Sequence, residues 1–140
     1  MGLEVKKTAI KNLKVLLVSP SCKDTYTFRQ LVNYPPLGLL YLAAVLEKEG
    51  HAVEVIDLDI DGFTEEGIGK KAKEGNFDFV GITSVTSTIN NAFRIAESVK
   101  KESGKLTVLG GIHATSVPLE CIENPFIDIV VKGEGEITVK

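Results

Sequence analysis

The chain has no tryptophan and only three tyrosines, Tyr26, Tyr34 and Tyr41. A ligand that needs a broad aromatic platform, such as a flavin, would have to stack mainly on Tyr34 or Phe28. Cysteine is equally scarce: Cys22 and Cys121 lie far apart and match no metal or redox spacing. Positive charge is not in excess, since 16 basic residues face 19 acidic ones for a formal charge of -3. That balance argues against nucleic acid and against an anionic membrane surface as partners. Long apolar runs are missing as well. Val15 to Val18 and Ala43 to Leu46 fall far short of the roughly 20 residues that cross a bilayer. The first residues, Met1 to Lys7, lack the apolar core of a secretory signal. These absences lead us to expect a cytoplasmic protein with neither a nucleic-acid nor a membrane partner.

What is present is one regular alternation. At 140 residues the chain matches one domain, and short β-branched runs alternate with helix-period segments five times. Strands are predicted at Lys14 to Ser19, Ala52 to Asp57, Asp78 to Thr83, Leu106 to Leu109 and Ile127 to Val131. Helices are predicted from about Leu37 to Glu49, with Gly50 as the stop, and from about Ile89 to Glu102. A further short helix is expected near Val117 to Glu123. The segment from Gly62 to Gly75 reads as weakly helical, because Gly67 and Gly69 each oppose a helix by about 1 kcal/mol. The expected fold is α/β: a Rossmann-like, flavodoxin-like, doubly wound five-stranded parallel sheet in order 2-1-3-4-5, in three layers. Residues 1–13 are expected to be a leader to this single domain. Gly133 to Glu136 resembles a further strand-to-helix turn, so the chain reads as a piece of a longer protein.

Four strand ends carry unusual loops: Ser19 to Gly38, Ser84 to Thr88, Gly110 to Thr115 and Gly133 to Glu136. In the expected order they neighbour one another around the switch point, where ligands of open α/β sheets bind. Several known chemistries fail there. The first strand-to-helix turn contains Ser19, Pro20 and Ser21 instead of a dinucleotide-binding glycine pattern, and no phosphate loop exists. Asp57, Asp59 and Asp61 before Gly62 resemble the opening of a calcium loop, but Ile68 stands where its bidentate glutamate belongs. A solvated strand end, with Leu58 and Ile60 packing inward, is the expectation. A phospho-receiver would need carboxylates where Ser19 and Ser84 stand. His51 follows a helix-stopping glycine and reads as a surface residue, whereas His113 sits on the functional rim without a partner patterned for a metal. Ser84, His113 and Asp57 lack a nucleophile elbow. Binding is therefore expected, with no catalytic and no metal-ligating residue.

The order and content of the loops resemble one family: the cobalamin-binding domain found amino-terminal to the radical module of cobalamin-dependent radical S-adenosylmethionine enzymes. The resemblance runs from about Lys14 to Glu136. It rests on Tyr34 to Ala43, which reads YPPLGLLYLA, on Val80 to Ser84 (VGITS), on Gly110 to Thr115 (GGIHAT), and on Asp128 to Glu136 (DIVVKGEGE). The wider fold often carries Asp-x-His-x-x-Gly after strand one, with the histidine as cobalt ligand. Aligned on Asn33 to Gly38, that pattern puts Pro35 at the histidine, and a pyrrolidine amide cannot coordinate cobalt as imidazole does. The resemblance thus implies cobalamin held base-off and without a histidine ligand from this position.

Its implied cofactor-binding set is Ser19, Pro35, Leu37 and Gly38 at the first strand's end, and Thr83, Ser84 and Thr86 at the third. Gly110, Gly111 and His113 follow at the fourth, and Gly133, Glu134 and Gly135 after the fifth. Hydroxyls at Ser84 and Thr86 would bond the nucleotide tail, the paired glycines would make room for it, and 133–135 would flank the corrin. The resemblance also implies a carboxy-terminal radical module as partner, which would supply S-adenosylmethionine and a 4Fe-4S cluster, since two isolated cysteines cannot hold one. Methyl transfer is the expected reaction of the parent, with cyclisation as the other. Two competing readings remain: a degenerate structural or interaction domain that no longer binds cobalamin, and a flavodoxin-like domain for a flavin or nucleotide using 83–88 as its cradle.

Overall fold

The computed structural model describes residues 12–23 and 35–138. Asn33, Tyr34, Tyr26, Phe28 and the leader, apart from Asn12 and Leu13, lie outside the described residues. The elements are β1 Lys14–Ser19, α1 Leu37–Lys48, β2 Ala52–Asp57, α2 Glu65–Glu74, β3 Phe79–Thr83, a 3-10 turn Thr86–Thr88, and α3 Ile89–Ser103. They continue with β4 Leu106–Gly110, α4 Ile112–Ser116, α5 Pro118–Ile122, β5 Ile129–Val130 and α6 Gly135–Thr138. All strand pairs are parallel and the order is β2-β1-β3-β4-β5. The expected Rossmann-like sheet is the observed one.

Strand alternation sorts the core into two clusters. Leu16 and Val18 of β1, Val80 and Ile82 of β3, and Leu109 of β4 point to the face that α2, α3, α4 and α5 cover. Their neighbours Val15 and Leu17 point to the opposite face, where Leu39, Ala43 and Leu46 of α1 meet them. Helix α3 presents Ala92, Ile95, Ala96 and Val99, all fully buried, with Ile89 and Phe93 packed at the edge of the same cluster.

Helix α2 forms despite its glycines. The Thr64 hydroxyl caps it by accepting the Gly67 N–H at 3.1 Å, Glu65 and Glu66 sit in its first turn, and Lys71 and Lys73 sit in its last. Gly69 then repays its poor propensity through packing. A Cβ there would strike the Ser98 carbonyl and hydroxyl, so only glycine lets α2 lie this close to α3. The Gly69 N–H donates to Ser98 Oγ at 3.2 Å, and that hydroxyl donates to the Glu66 carbonyl at 2.7 Å.

Several local expectations need correction. The short helix expected near Val117 to Glu123 is present as α5, but a further turn of helix, α4, precedes it from Ile112 and ends before Val117, because Pro118 cannot continue α4 and instead opens α5. Strand β5 is only Ile129–Val130; Asp128, expected inside it, instead turns its carboxylate back to β4, accepting the Thr107 N–H at 2.7 Å. Burial would raise that carboxyl, but its bonds to Lys100 and Thr107 hold it below the usual range. Ile60 does not pack inward: it is 56% exposed, while Leu58 is buried. His51 is half-buried rather than on the surface, and its Nδ1 accepts the Leu13 N–H at 3.1 Å, fastening the entry to β1.

Candidate functional site

The carboxyl ends of the strands open into a groove of about 510 Å³ between α1 and the face of β3 and β4. That volume lies within the range of about 300–1,000 Å³ typical of small-molecule sites. All four loops singled out in the sequence contribute. Gly38 comes from the first, Ser84 and Val85 from the second, Gly110, Gly111, Ile112 and Thr115 from the third, and residues 133–136 from the fourth. The expected convergence on one rim is therefore present.

The floor follows from strand alternation. Phe79, Gly81 and Thr83 of β3 face the groove, as do Val108 and Gly110 of β4, while Leu39, Leu42 and Leu46 of α1 form the wall. Thr83 at the rim lies four positions beyond Phe79, so at about 3.3 Å per residue the floor reaches about 13 Å down the sheet. Gly81 and Val108 pair in register midway. The deep end is apolar, and its backbone groups are engaged in the β1, β3 and β4 ladders. Polar side chains gather at the mouth: Thr83, Ser84, Thr115, Ser116, Glu134 and Glu136. Among the described residues no lysine, arginine or histidine lines the groove.

The paired glycines do different work. Gly111 adopts φ +96 and ψ -175, a conformation essentially reserved for glycine, and a Cβ there would lie 2.5 Å from the Ser84 carbonyl oxygen. It lets the β4 loop close on the β3 loop, where the His113 N–H donates to that same carbonyl at 3.2 Å. A Cβ on Gly110 would meet nothing nearer than Val131 at 3.9 Å. A side chain at Gly110 would thus begin without a clash and enter the groove, whereas one at Gly111 would strike protein.

Eight of the thirteen expected residues line the groove: Gly38, Thr83, Ser84, Gly110, Gly111, Gly133, Glu134 and Gly135. Ser19, Pro35, Leu37, Thr86 and His113 do not. Pro35 and Leu37 are exposed at the start of α1, and the Ser19 carbonyl accepts the Leu58 N–H at 3.1 Å. Two hydroxyls are already engaged. Ser84 Oγ donates to the Gly110 carbonyl at 2.8 Å, and Thr86 Oγ1 lies 3.2 Å from His113 Nδ1. His113 is buried beneath the rim, tying the 3-10 turn to α4, and its Nε2 has no partner among the described residues. The Thr115 hydroxyl oxygen accepts the Gly133 N–H at 3.0 Å, joining the third loop to the fourth.

Sequence reasoning missed the floor and the wall. Leu17, Leu42, Leu46, Phe79 and Val108 carry no chemical signature and read as core. It also missed a latch at the opposite edge of the rim. Asp59 accepts hydrogen bonds from the Ser21 hydroxyl at 2.5 Å and from the Cys22 N–H and thiol at 3.2 and 3.0 Å. Burial opposes this carboxylate, but those bonds hold it below the usual range. In return, the hydrogen bond to Asp59, with burial and its charge, pushes the Cys22 thiol up to about 11. The neighbouring carboxylates serve the turn itself: Asp57 accepts the Asp59 N–H at 3.0 Å and Asp61 the Asp57 N–H at 2.7 Å.

Comparisons with known proteins agree with this architecture. The sequence profile of the B12 binding domain matches residues 26–140. An uncharacterised methyltransferase of Pyrococcus horikoshii is 39% identical over 133 residues, covering 94% of this chain and 29% of that protein. Cytidylyl-2-hydroxyethylphosphonate methyltransferase of Streptomyces wedmorensis is 34% identical over 146 residues, covering 89% of this chain and 27% of that protein. Among solved structures, the radical S-adenosylmethionine methyltransferase TsrM of Kitasatospora setae superposes with a TM-score of 0.74 at 25% identity, over 91% of this chain and 24% of its own. The chain thus spans less than a third of each of these relatives. It belongs to the B12-binding domain family, and it resembles the form of that domain found in cobalamin-dependent radical S-adenosylmethionine enzymes.

Proposed function

We propose that this domain binds cobalamin base-off, with no histidine of its own on the cobalt, and presents it to a downstream radical S-adenosylmethionine module for methyl transfer. The observation that carries the reading is the groove itself: deep, apolar, open at the strand ends, and lined at its rim by Gly110, which puts no side chain into it. The nucleotide tail would lie in that groove, and the corrin would rest on the rim against 133–135 and the amino terminus of α1. Bound there, cobalamin supplies a cobalt centre able to carry and release a methyl group. The chain's own share is binding and orientation.

The histidine-free state has support in both histidines. His51 is bonded to the entry of β1, far from the strand ends, and His113 is buried against Thr86 and does not line the groove. A flavin mononucleotide or a nucleotide fits less well, because its dianionic terminal phosphate would find no cation among the lining residues, whereas the tail of cobalamin carries only a monoanionic phosphodiester. The radical module, its S-adenosylmethionine and its 4Fe-4S cluster would belong to a longer protein, in line with the share of the relatives that this chain spans. We place that protein in the cytoplasm. Among the described residues no helix is long and apolar enough to cross a membrane.

Titration with cob(II)alamin, read by electron paramagnetic resonance, tests this reading. The expected spectrum is that of a base-off species without nitrogen splitting from an axial ligand. Clear nitrogen coupling would refute the histidine-free state, and a spectrum identical to free cofactor would refute binding.

A further inference from the structure

The chemistry of the groove's deep end points beyond cobalamin binding to a preference among cobamides. Resting on the reading above, we infer that this domain selects the base at the end of the nucleotide tail, accepting apolar benzimidazole-type or phenol-type bases and rejecting purines. Below the rim, the surfaces offered to that base are Leu17, Leu42, Leu46, Phe79, Gly81 and Val108. None has a polar side-chain atom. The strand amides and carbonyls beside them are paired with neighbouring strands, so the floor offers no free donor or acceptor.

Nor do the polar residues of the mouth reach that depth. Thr83 and Gly110 pair at the rim, two residues above the Gly81 and Val108 pair, a rise of about 6.6 Å along the strands. The Ser84 hydroxyl directs its proton to the Gly110 carbonyl and the Thr115 hydroxyl oxygen accepts the Gly133 N–H, so both stay anchored at the level of the rim. An adenine base carries an exocyclic amine and additional ring nitrogens that water satisfies in the free cobamide. At the floor of the groove they would lose those bonds and meet no polar side chain. An apolar bicyclic or phenolic base gives up far less water and covers the same leucines and Phe79.

The test compares four ligands on this chain by spectrophotometric titration: cobalamin, its adenine-based analogue, its phenol-based analogue, and cobinamide, which lacks the nucleotide tail. Cobalamin is expected to bind at least tenfold more tightly than the adenine form, a difference of about 1.4 kcal/mol. The phenol form should fall within about threefold of cobalamin, since it brings no ring nitrogen at all. Cobinamide should bind weakest. Equal affinity for the adenine form and cobalamin would overturn the selection while leaving cobalamin binding intact. Equal affinity for cobinamide and cobalamin would place the tail outside the groove and overturn it equally. Binding of none of the four would instead bring down the underlying functional reading. Val108→Thr adds one hydroxyl at matching shape to the floor, so it should narrow the gap between adenine and benzimidazole forms; an unchanged gap in a variant that melts like the parent would contradict the assignment of the floor.

Discussion

The two faces of this sheet are made by the same strands and could hardly differ more. Among the described residues, 17 buried ones on one face form a cluster closed by α2, α3, α4 and α5. On the other, five buried residues sit beneath α1, and β3 and β4 are left facing the groove. Alternation along each strand makes neighbours in sequence serve opposite ends: Leu16 and Val18 belong to the closed face, and Leu17 between them to the open one. The closed face therefore carries stability and the open face carries the space for a ligand.

That division can be broken by substitution. Phe77 is fully buried in the closed cluster. Phe77→Ala should cost about 3–5 kcal/mol in urea unfolding, with the folded fraction retaining the groove and its affinity. A parallel loss of affinity in folded protein would mean that the faces are not independent.

The paired glycines sharpen the same contrast within two residues. Gly111→Ala combines a left-handed backbone with a Cβ driven against Ser84, and should destabilise the fold by about 2–4 kcal/mol. Gly110→Leu meets no close contact at its Cβ, whose nearest neighbours are atoms of Val131 at 3.9 Å, and should change unfolding by less than about 1 kcal/mol. Matching losses of stability from the two substitutions would show that the space beside Gly110 is not free.

The smallest effect belongs to the latch at the edge of the rim. With its pKa pushed up to about 11, Cys22 is almost wholly protonated near neutral pH. Asp59→Asn removes the charge and weakens the bond responsible, so the Cys22 pKa should fall and its thiolate fraction rise. Alkylation at pH 8 should quicken by about tenfold, the gain in thiolate being partly offset by lower intrinsic nucleophilicity. Buried Cys121 serves as the internal control. An unchanged rate at Cys22 would remove Asp59 as the group that holds the β1 loop.

Much of this was legible in the sequence, for physical reasons that differ by element. The parallel order followed from five alternations of β-branched runs and helix-period segments, and the four glycine- or hydroxyl-rich strand ends marked the rim. What escaped depends on partners distant in sequence. Gly69 counted against α2 by propensity, yet its contact with Ser98 of α3 is what makes α2 fit. Asp59 belonged to a visible Asp-x-Asp-x-Asp pattern, but its partners Ser21 and Cys22 lie 38 and 37 positions away. Gly110 and Gly111 were one motif in sequence, and only backbone geometry separates the glycine that admits a neighbour from the one that admits a ligand. The groove floor was invisible because apolar side chains look alike whether covered by protein or left facing a cavity.

The central claim, that the open face holds the cobalamin tail, meets its most direct test in parallel cobalamin titrations of the parent and Gly110→Leu, with unfolding measured on the same preparations. The account predicts that the substitution lowers affinity about a hundredfold, equivalent to about 2.7 kcal/mol, while stability hardly moves. Parent-like affinity in a stably folded Gly110→Leu protein would contradict it.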